Sequence, residues 1–112
     1  MQKFSNVNEL VNTLQPENPV YCIRPNSVKK SVEFFKNNFP GKVLYAVKTN
    51  PDEKIIKIII GSGIQNFDVA SINEVKLIRK IDSKAKVYFM HTVKIRESIK
   101  EAYSQNNVKD FA

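Results

Sequence analysis

Cysteine and histidine are almost absent from this 112-residue chain; each occurs once. A lone Cys22 cannot close an internal disulfide, and one cysteine with one histidine cannot supply the usual zinc clusters, so no metal site is expected. Both scarcities fit a reducing compartment. Long apolar runs are missing too. The longest, around Ile58-Ile59-Ile60, falls far short of the roughly 20 residues of a membrane span. The opening Met-Gln-Lys-Phe-Ser-Asn holds no apolar stretch of the kind that marks a secretory signal, so a cytoplasmic location is the expectation. No segment is of low complexity, and no linker divides the chain.

What is present is an ordinary globular balance of 42% hydrophobic and 26% charged residues, which argues against disorder. The length is that of one small domain. Lysine and arginine outnumber aspartate and glutamate by 18 to 11, a net charge of +7. The lysines are scattered over every expected helix, from Lys29 and Lys36 to Lys76 and Lys100, with no aromatic stacking motif or arginine cluster. That describes a solvated basic surface, and a nucleic-acid-binding module ranks last among the readings.

Helical and extended patterns alternate along the chain. Val7 to Gln15 puts Val7, Leu10, Val11 and Leu14 on one helical face, with Ser5 or Asn6 as N-cap and Pro16 beyond its end. Val20-Tyr21-Cys22-Ile23 reads as a strand between Pro19 and Pro25, with Cys22 in the core. Asn26 or Ser27 caps a helix through Asn38, whose apolar side is Val28, Val32 and Phe35, with Phe39 just past its end. Val43 to Val47 is apolar at every position, as in a parallel strand buried on both faces. A helix over Asp52 to Ile60 stops at Gly61-Ser62-Gly63.

Phe67 to Ala70 is the next strand. Ser71-Ile72-Asn73-Glu74 is a capping box, in which hydroxyl and carboxylate satisfy each other's free backbone N–H groups. Its helix turns Val75, Ile78 and Ile81 inward and Lys76, Arg79 and Lys80 mostly outward. Val87 to Met90, Val93 to Tyr103 and Val108 to Ala112 give a further strand, helix and strand. Strands near 43, 65, 87 and 109 thus recur about every 22 residues with a helix between them, which predicts a parallel sheet with right-handed crossovers. A small open α/β sheet and part of a (β/α) barrel both satisfy that spacing.

In such folds the functional groups gather at the C-terminal ends of strands. Those ends are Lys48-Thr49-Asn50, Asp68-Val69-Ala70-Ser71 and His91-Thr92. Lys48 is the most informative, because it directly follows the apolar run and its ammonium is expected to emerge from a buried strand. Partial desolvation there would lower its pKa, as an amine that condenses with an aldehyde requires. On position alone, a strand-end lysine reaching into solvent is the simpler reading.

The surrounding residues change that weighting. Tyr45-Ala46-Val47-Lys48-Thr49-Asn50, then Phe67-Asp68-Val69-Ala70-Ser71 with Glu74 following, resembles the fold-type III pyridoxal-phosphate (PLP) decarboxylases. These are the ornithine, lysine, arginine and diaminopimelate decarboxylases. The family shows a Y-A-V-K-x-N strand end and, further on, a G-x-x-F-D-x-A-S-x-x-E segment. Here Gly63 precedes the second segment with one extra residue between, and His91-Thr92 stands where many members have Asn-Pro. The Ala-Ser-x-x-Glu form is nearer the ornithine/lysine branch than the diaminopimelate branch. The similarity spans nearly the whole chain, including the early strand Val20 to Arg24.

The resemblance implies both a fold and a chemistry. The fold is α/β, the N-terminal portion of a PLP-binding (β/α)8 TIM-type barrel truncated after about four strands. Residues 1–40 would form a helix, strand and helix leading into the barrel, and 41–112 its first βα units. Lys48 is implied as the catalytic lysine, whose amine bonds the aldehyde of PLP, with Ala46, Asp68 and Glu74 completing the cofactor-binding set. Ala46 would pack near the ring, Asp68 would orient the lysine or pair with an arginine, and Glu74 would line the same region. Each has a plainer reading: strand packing for Ala46, bonds to loop amides for Asp68, helix capping for Glu74. His91 reads as a loop residue.

The implied substrate is ornithine, decarboxylated to putrescine in polyamine biosynthesis, with lysine and diaminopimelate less favoured. A homodimer is implied as well. The family's glycine-rich phosphate loop, its glutamate for the pyridinium nitrogen and its stacking histidine have no candidate after Lys94, and neither does its C-terminal β domain. The chain alone is therefore expected not to decarboxylate. A non-catalytic half-barrel that holds PLP or docks on a complementary subunit is the alternative.

Overall fold

The computed structural model describes residues 2–112. Helix α1 (Val7–Leu14) begins at Asn6, whose side chain accepts the Glu9 N–H at 2.9 Å, and ends at Gln15 in the left-handed region, φ 42°. Helix α2 (Pro25–Asn38) opens on Pro25 itself rather than on an Asn26 or Ser27 cap. Proline suits that position because its missing N–H would have had no helical partner. Strand β1 (Tyr45–Ala46) passes into a single 3₁₀ turn over Val47–Thr49. Helix α3 (Glu53–Gly61) is capped by Asp52, which accepts the N–H groups of Lys54 and Ile55. Beyond its end Gly63 takes φ 95°, a conformation that any side chain would strain.

Strand β2 (Asn66–Val69), helix α4 (Ile72–Ile81), strand β3 (Lys86–Phe89), helix α5 (Arg96–Asn106) and strand β4 (Asp110–Phe111) complete the alternation. The four strands form one parallel sheet in the order β1-β2-β3-β4. Register fixes which side chains share a face. Tyr45, Phe67 and Val87 stand in one row, and Val69, Phe89 and Phe111 in another. These rows meet the helices: Phe67, Val69, Val87 and Phe89 are buried, with Ile56, Val75, Ile78 and Val108 packed on them. Each such side chain contributes roughly 1.5–3 kcal/mol by leaving water.

The alternate row, Ala46, Asp68, Tyr88 and Asp110, lies on the opposite, inner face. That face is polar. Lys42 donates to the Tyr88 hydroxyl at 3.2 Å, the Lys86 ammonium sits 4.9 Å from the Tyr88 ring centroid, and Lys86 pairs with Asp110 at 3.4 Å.

Several local expectations are corrected. Residues 20–23 form no strand, because no neighbouring segment pairs with their backbone, and Cys22 is exposed rather than core. Only Ile23 of that run packs against the core. The apolar run at 43–47 is half-buried through Ala46, with Val47 alone fully buried. As the edge strand it has a neighbour on one side only. Helix α5 starts three residues later than the periodicity predicts, at Arg96. Residue Lys94 is drawn instead to the carbonyls of His91 and Ala112. Phe35 and Phe39 are 53% exposed, so the apolar side of α2 is only partly covered.

Arg79 does not point outward. Its guanidinium donates to the carbonyls of Asn106 at 2.7 Å, Ser83 at 3.4 Å and Ala85, tying α4 to the end of α5 and to the loop before β3. Among the described residues no helix is long and apolar enough to cross a membrane.

Candidate active site

The C-terminal ends of β1, β2 and β3 converge on a cleft of about 170 Å³ lined by Lys48, Asp68, Ala70, Met90, His91 and Thr92. The 3₁₀ turn after β1 presents the lysine. Val47 is fully buried and anchors the turn, while the next residue, Lys48, is exposed. Hydrogen bonds brace the turn on both sides: Thr49 Oγ1 donates to the Ala46 carbonyl at 2.7 Å, and the Asn50 N–H donates to the Val47 carbonyl at 3.2 Å. The Tyr45 hydroxyl donates to the Asn50 carbonyl at 3.0 Å. The backbone beneath the amine is therefore fixed while the amine itself makes no hydrogen bond or ion pair among the described residues. The expected desolvation is not found, because the edge position of β1 leaves Lys48 open to water.

Asp68 stands across the cleft on β2, half-buried, in register with Ala46 on one side and Tyr88 on the other. Lys48 and Asp68 are thus brought to one cleft. Ala46 and Glu74 are not among its lining residues. Ala46 lies on the inner face beside Asp68 and along the free edge of β1.

Glu74 sits one bond behind the cleft wall. Its own N–H donates to Ser71 Oγ at 3.2 Å, and its carboxylate accepts the Ala70 N–H at 2.8 Å. The reciprocal half of the capping box is shifted by one residue, to Ala70, so the cap also holds a residue of the cleft. Thr92 belongs to the His91-Thr92 strand end that the sequence marks, and Met90 joins the site without having been named as part of it. The strand-end rule that marks His91-Thr92 extends to Met90, the first residue after β3.

The charge environment is uneven. Lys94 fastens the loop after β3 by donating to the carbonyls of His91 and, at 2.6 Å, Ala112. On the outer layer, the Lys80 ammonium holds the Glu53 carboxyl below the usual carboxylate range by a hydrogen bond and by its charge. Partial burial lowers the Arg79 guanidinium from its ordinary value, though not enough to discharge it. A primary amine on a fixed turn, with a carboxylate across an accessible cleft, suits a ligand bearing an aldehyde.

Residues 25–111 match the family described as pyridoxal-dependent decarboxylase, pyridoxal binding domain. The chain belongs to that family. Its cofactor is pyridoxal phosphate, and the matched stretch runs from the first residue of α2 to the last of β4. A lysine/ornithine decarboxylase of Selenomonas ruminantium is 30% identical over 89 residues, covering 77% of this decarboxylase-family chain and 22% of the relative. The crystal structure of lysine decarboxylase from the same organism superposes with a TM-score of 0.80 at 27% identity, covering 99% of this chain and 29% of that one. A structure of the Selenomonas enzyme in complex with PLP and cadaverine gives a TM-score of 0.78 at 28% identity, over 99% of this chain and 30% of that one. The chain thus spans less than a third of the relatives it matches, in their N-terminal, barrel-forming portion.

Proposed function

We propose that this chain is the lysine-bearing segment of a PLP-dependent amino-acid decarboxylase acting on ornithine or lysine, with Lys48 as the residue that bonds the cofactor. The single observation that carries the reading is the cleft at the strand ends, where an exposed Lys48 amine, on a hydrogen-bonded turn and without a partner among the described residues, shares the lining with Asp68. Bound PLP supplies an electron-withdrawing pyridine ring that accepts the electrons released when a carboxylate leaves as carbon dioxide. The chain's own residues hold and orient. Lys48 offers its nitrogen, Asp68 orients a nearby amine across the cleft, and Ala46 leaves the inner face low beside them. Glu74 fixes the Ala70 backbone at the cleft wall.

In this reading residues 1–40 lead into the barrel and 41–112 form its first βα units. Ornithine is favoured over diaminopimelate by the Ala70-Ser71-x-x-Glu74 form, and the name of the Selenomonas relative supports lysine beside it. Putrescine or cadaverine would be the product. The free Cys22 thiol supports a reducing, cytoplasmic setting. A homodimer of the completed enzyme belongs to the same reading. The 112-residue chain by itself binds PLP without decarboxylating, because its cleft has walls from β1 to β3 only.

Calorimetric titration with PLP tests this. Lys48→Ala is expected to weaken binding at least tenfold, about 1.4 kcal/mol. Equal affinity in the variant would remove Lys48 from the site. Diamine formed from ornithine or lysine by the purified chain, and lost in Lys48→Ala, would overturn the inactivity of the chain alone.

A further inference from the structure

On the reading that Lys48 bonds PLP, we propose that Asn50 is the residue that positions the Lys48 amine. It acts together with the Tyr21 hydroxyl, which reaches the turn from the irregular segment before α2. The Lys48 side chain is exposed and has no hydrogen bond or ion pair among the described residues, so no contact of its own aims the nitrogen. Its direction is set by the backbone on either side. Val47 anchors one side by being fully buried. Thr49 on the other side is exposed, so the second anchor is Asn50.

All the polar groups of Asn50 are engaged. Its N–H donates to the Val47 carbonyl at 3.2 Å, and its carbonyl accepts the Tyr45 hydroxyl at 3.0 Å. In the side chain, Oδ1 accepts the Asp52 N–H at 3.1 Å and Nδ2 donates to the Tyr21 hydroxyl at 2.9 Å. These partners are themselves held. The Tyr45 ring meets the buried Phe67 ring edge-on, with centroids 6.3 Å apart. Asp52 caps α3 through the N–H groups of Lys54 and Ile55. Tyr21 lies just before Ile23, which packs on the core. Pro51 adds a covalent restraint, because a residue before proline is pushed to extended backbone; Asn50 sits there at φ −159°, ψ 100°.

The Tyr21 contact is the one that closing the turn does not require. The other three bonds are local, within five residues, and would end the 3₁₀ turn and start α3 without it. The Asn50–Tyr21 bond spans 29 positions and is exposed, so it adds little to global stability. What it fixes is the rotamer of the Asn50 side chain, and with it the far end of the turn that carries Lys48.

The test compares the full 112-residue chain with Tyr21→Phe, Asn50→Ala and the double variant. Without PLP, NMR spin relaxation reads the order of the Lys48 backbone amide. Its order parameter is expected to fall from about 0.85 toward about 0.6 in Asn50→Ala, and by less in Tyr21→Phe. With PLP, affinity is expected to weaken about tenfold in Asn50→Ala and about threefold in Tyr21→Phe. The double variant is expected to be no weaker than Asn50→Ala, since both changes remove the same bond. The urea midpoint of Tyr21→Phe stays at the unsubstituted value, because Tyr21 is 67% exposed and the ring is kept. Lys48 order unchanged in both single variants overturns the proposal. So do losses of affinity that multiply in the double variant, or a loss in Tyr21→Phe matched by a lower urea midpoint, which marks a merely structural bond. A chain that binds PLP through Lys48 equally well in all variants also overturns it and leaves the Lys48 reading standing. If instead Lys48→Ala binds PLP as well as the unsubstituted chain, that reading fails, and the Lys48 order parameters alone decide whether Asn50 holds the turn.

Discussion

Arg79 shows how one side chain can serve a purpose its periodicity conceals. On a helical wheel it falls with Lys76 and Lys80, and composition marks it as one more surface cation. In the fold its guanidinium instead serves three carbonyls, those of Ser83, Ala85 and Asn106. Two of these close the loop into β3 and the third ends α5, so the residue ties two successive βα units together. Arg79→Ala is expected to cost about 2–3 kcal/mol, because charge-assisted donors are lost and part-buried carbonyls are left waiting for water. Urea unfolding of the two proteins measures it, and a change below about 0.5 kcal/mol would show that solvent already serves these groups. The contact was not legible because its acceptors are backbone atoms 4 to 27 positions away, and backbone carbonyls carry no residue signature. Lys48 and Asp68 were legible for the opposite reason: one follows β1 and the other lies near the end of β2, and strand ends in a parallel sheet collect at one rim.

Elements follow local chemistry where that chemistry is self-contained. The Asn6 and Ser71 caps lie where the sequence puts them, because a cap needs only its own first turn. Strands are another matter, since they exist only through a neighbour. Val20 to Ile23 has the composition of a strand but no partner, and remains irregular with Tyr21 and Cys22 exposed.

Helix α1 is a helix by every local criterion and yet buries none of its residues. Val11→Ser in its apolar face is therefore expected to change global stability by no more than about 0.5 kcal/mol. A larger loss on thermal unfolding would mean that α1 docks on the core. Between α3 and α4 the link is electrostatic. Lys80 reaches Glu53 at 2.5 Å and holds its carboxyl below 4.5, the ordinary value. A lowered carboxyl stabilises the fold above its unfolded-state value and loses that contribution as pH falls through the lowered one. Carbon-detected NMR titration is expected to show Glu53 moving back toward 4.5 in Lys80→Ala. An unchanged midpoint would assign the shift to other neighbours.

At the scale of the whole molecule, the parallel sheet was legible from spacing alone. The strands begin at residues 45, 66, 86 and 110, close to the recurrence the sequence shows. Its two-faced character was not legible: the apolar run at 43–47 looks doubly buried, yet the sheet buries one face under helices and leaves Ala46, Asp68, Tyr88 and Asp110 on the other. Burial on the second face depends on what lies across it, which no local window contains.

That inner face and the rim above it give the chain its chemistry, and the central claim is that the rim lysine is the one that bonds PLP. Borohydride reduction after incubation with PLP, followed by peptide mapping, tests it most directly. The account predicts one dominant label on Lys48, saturating with PLP and vanishing in Lys48→Ala while the other lysines stay nearly unlabelled. Label spread over exposed lysines such as Lys29 and Lys54, undiminished in Lys48→Ala, would contradict it.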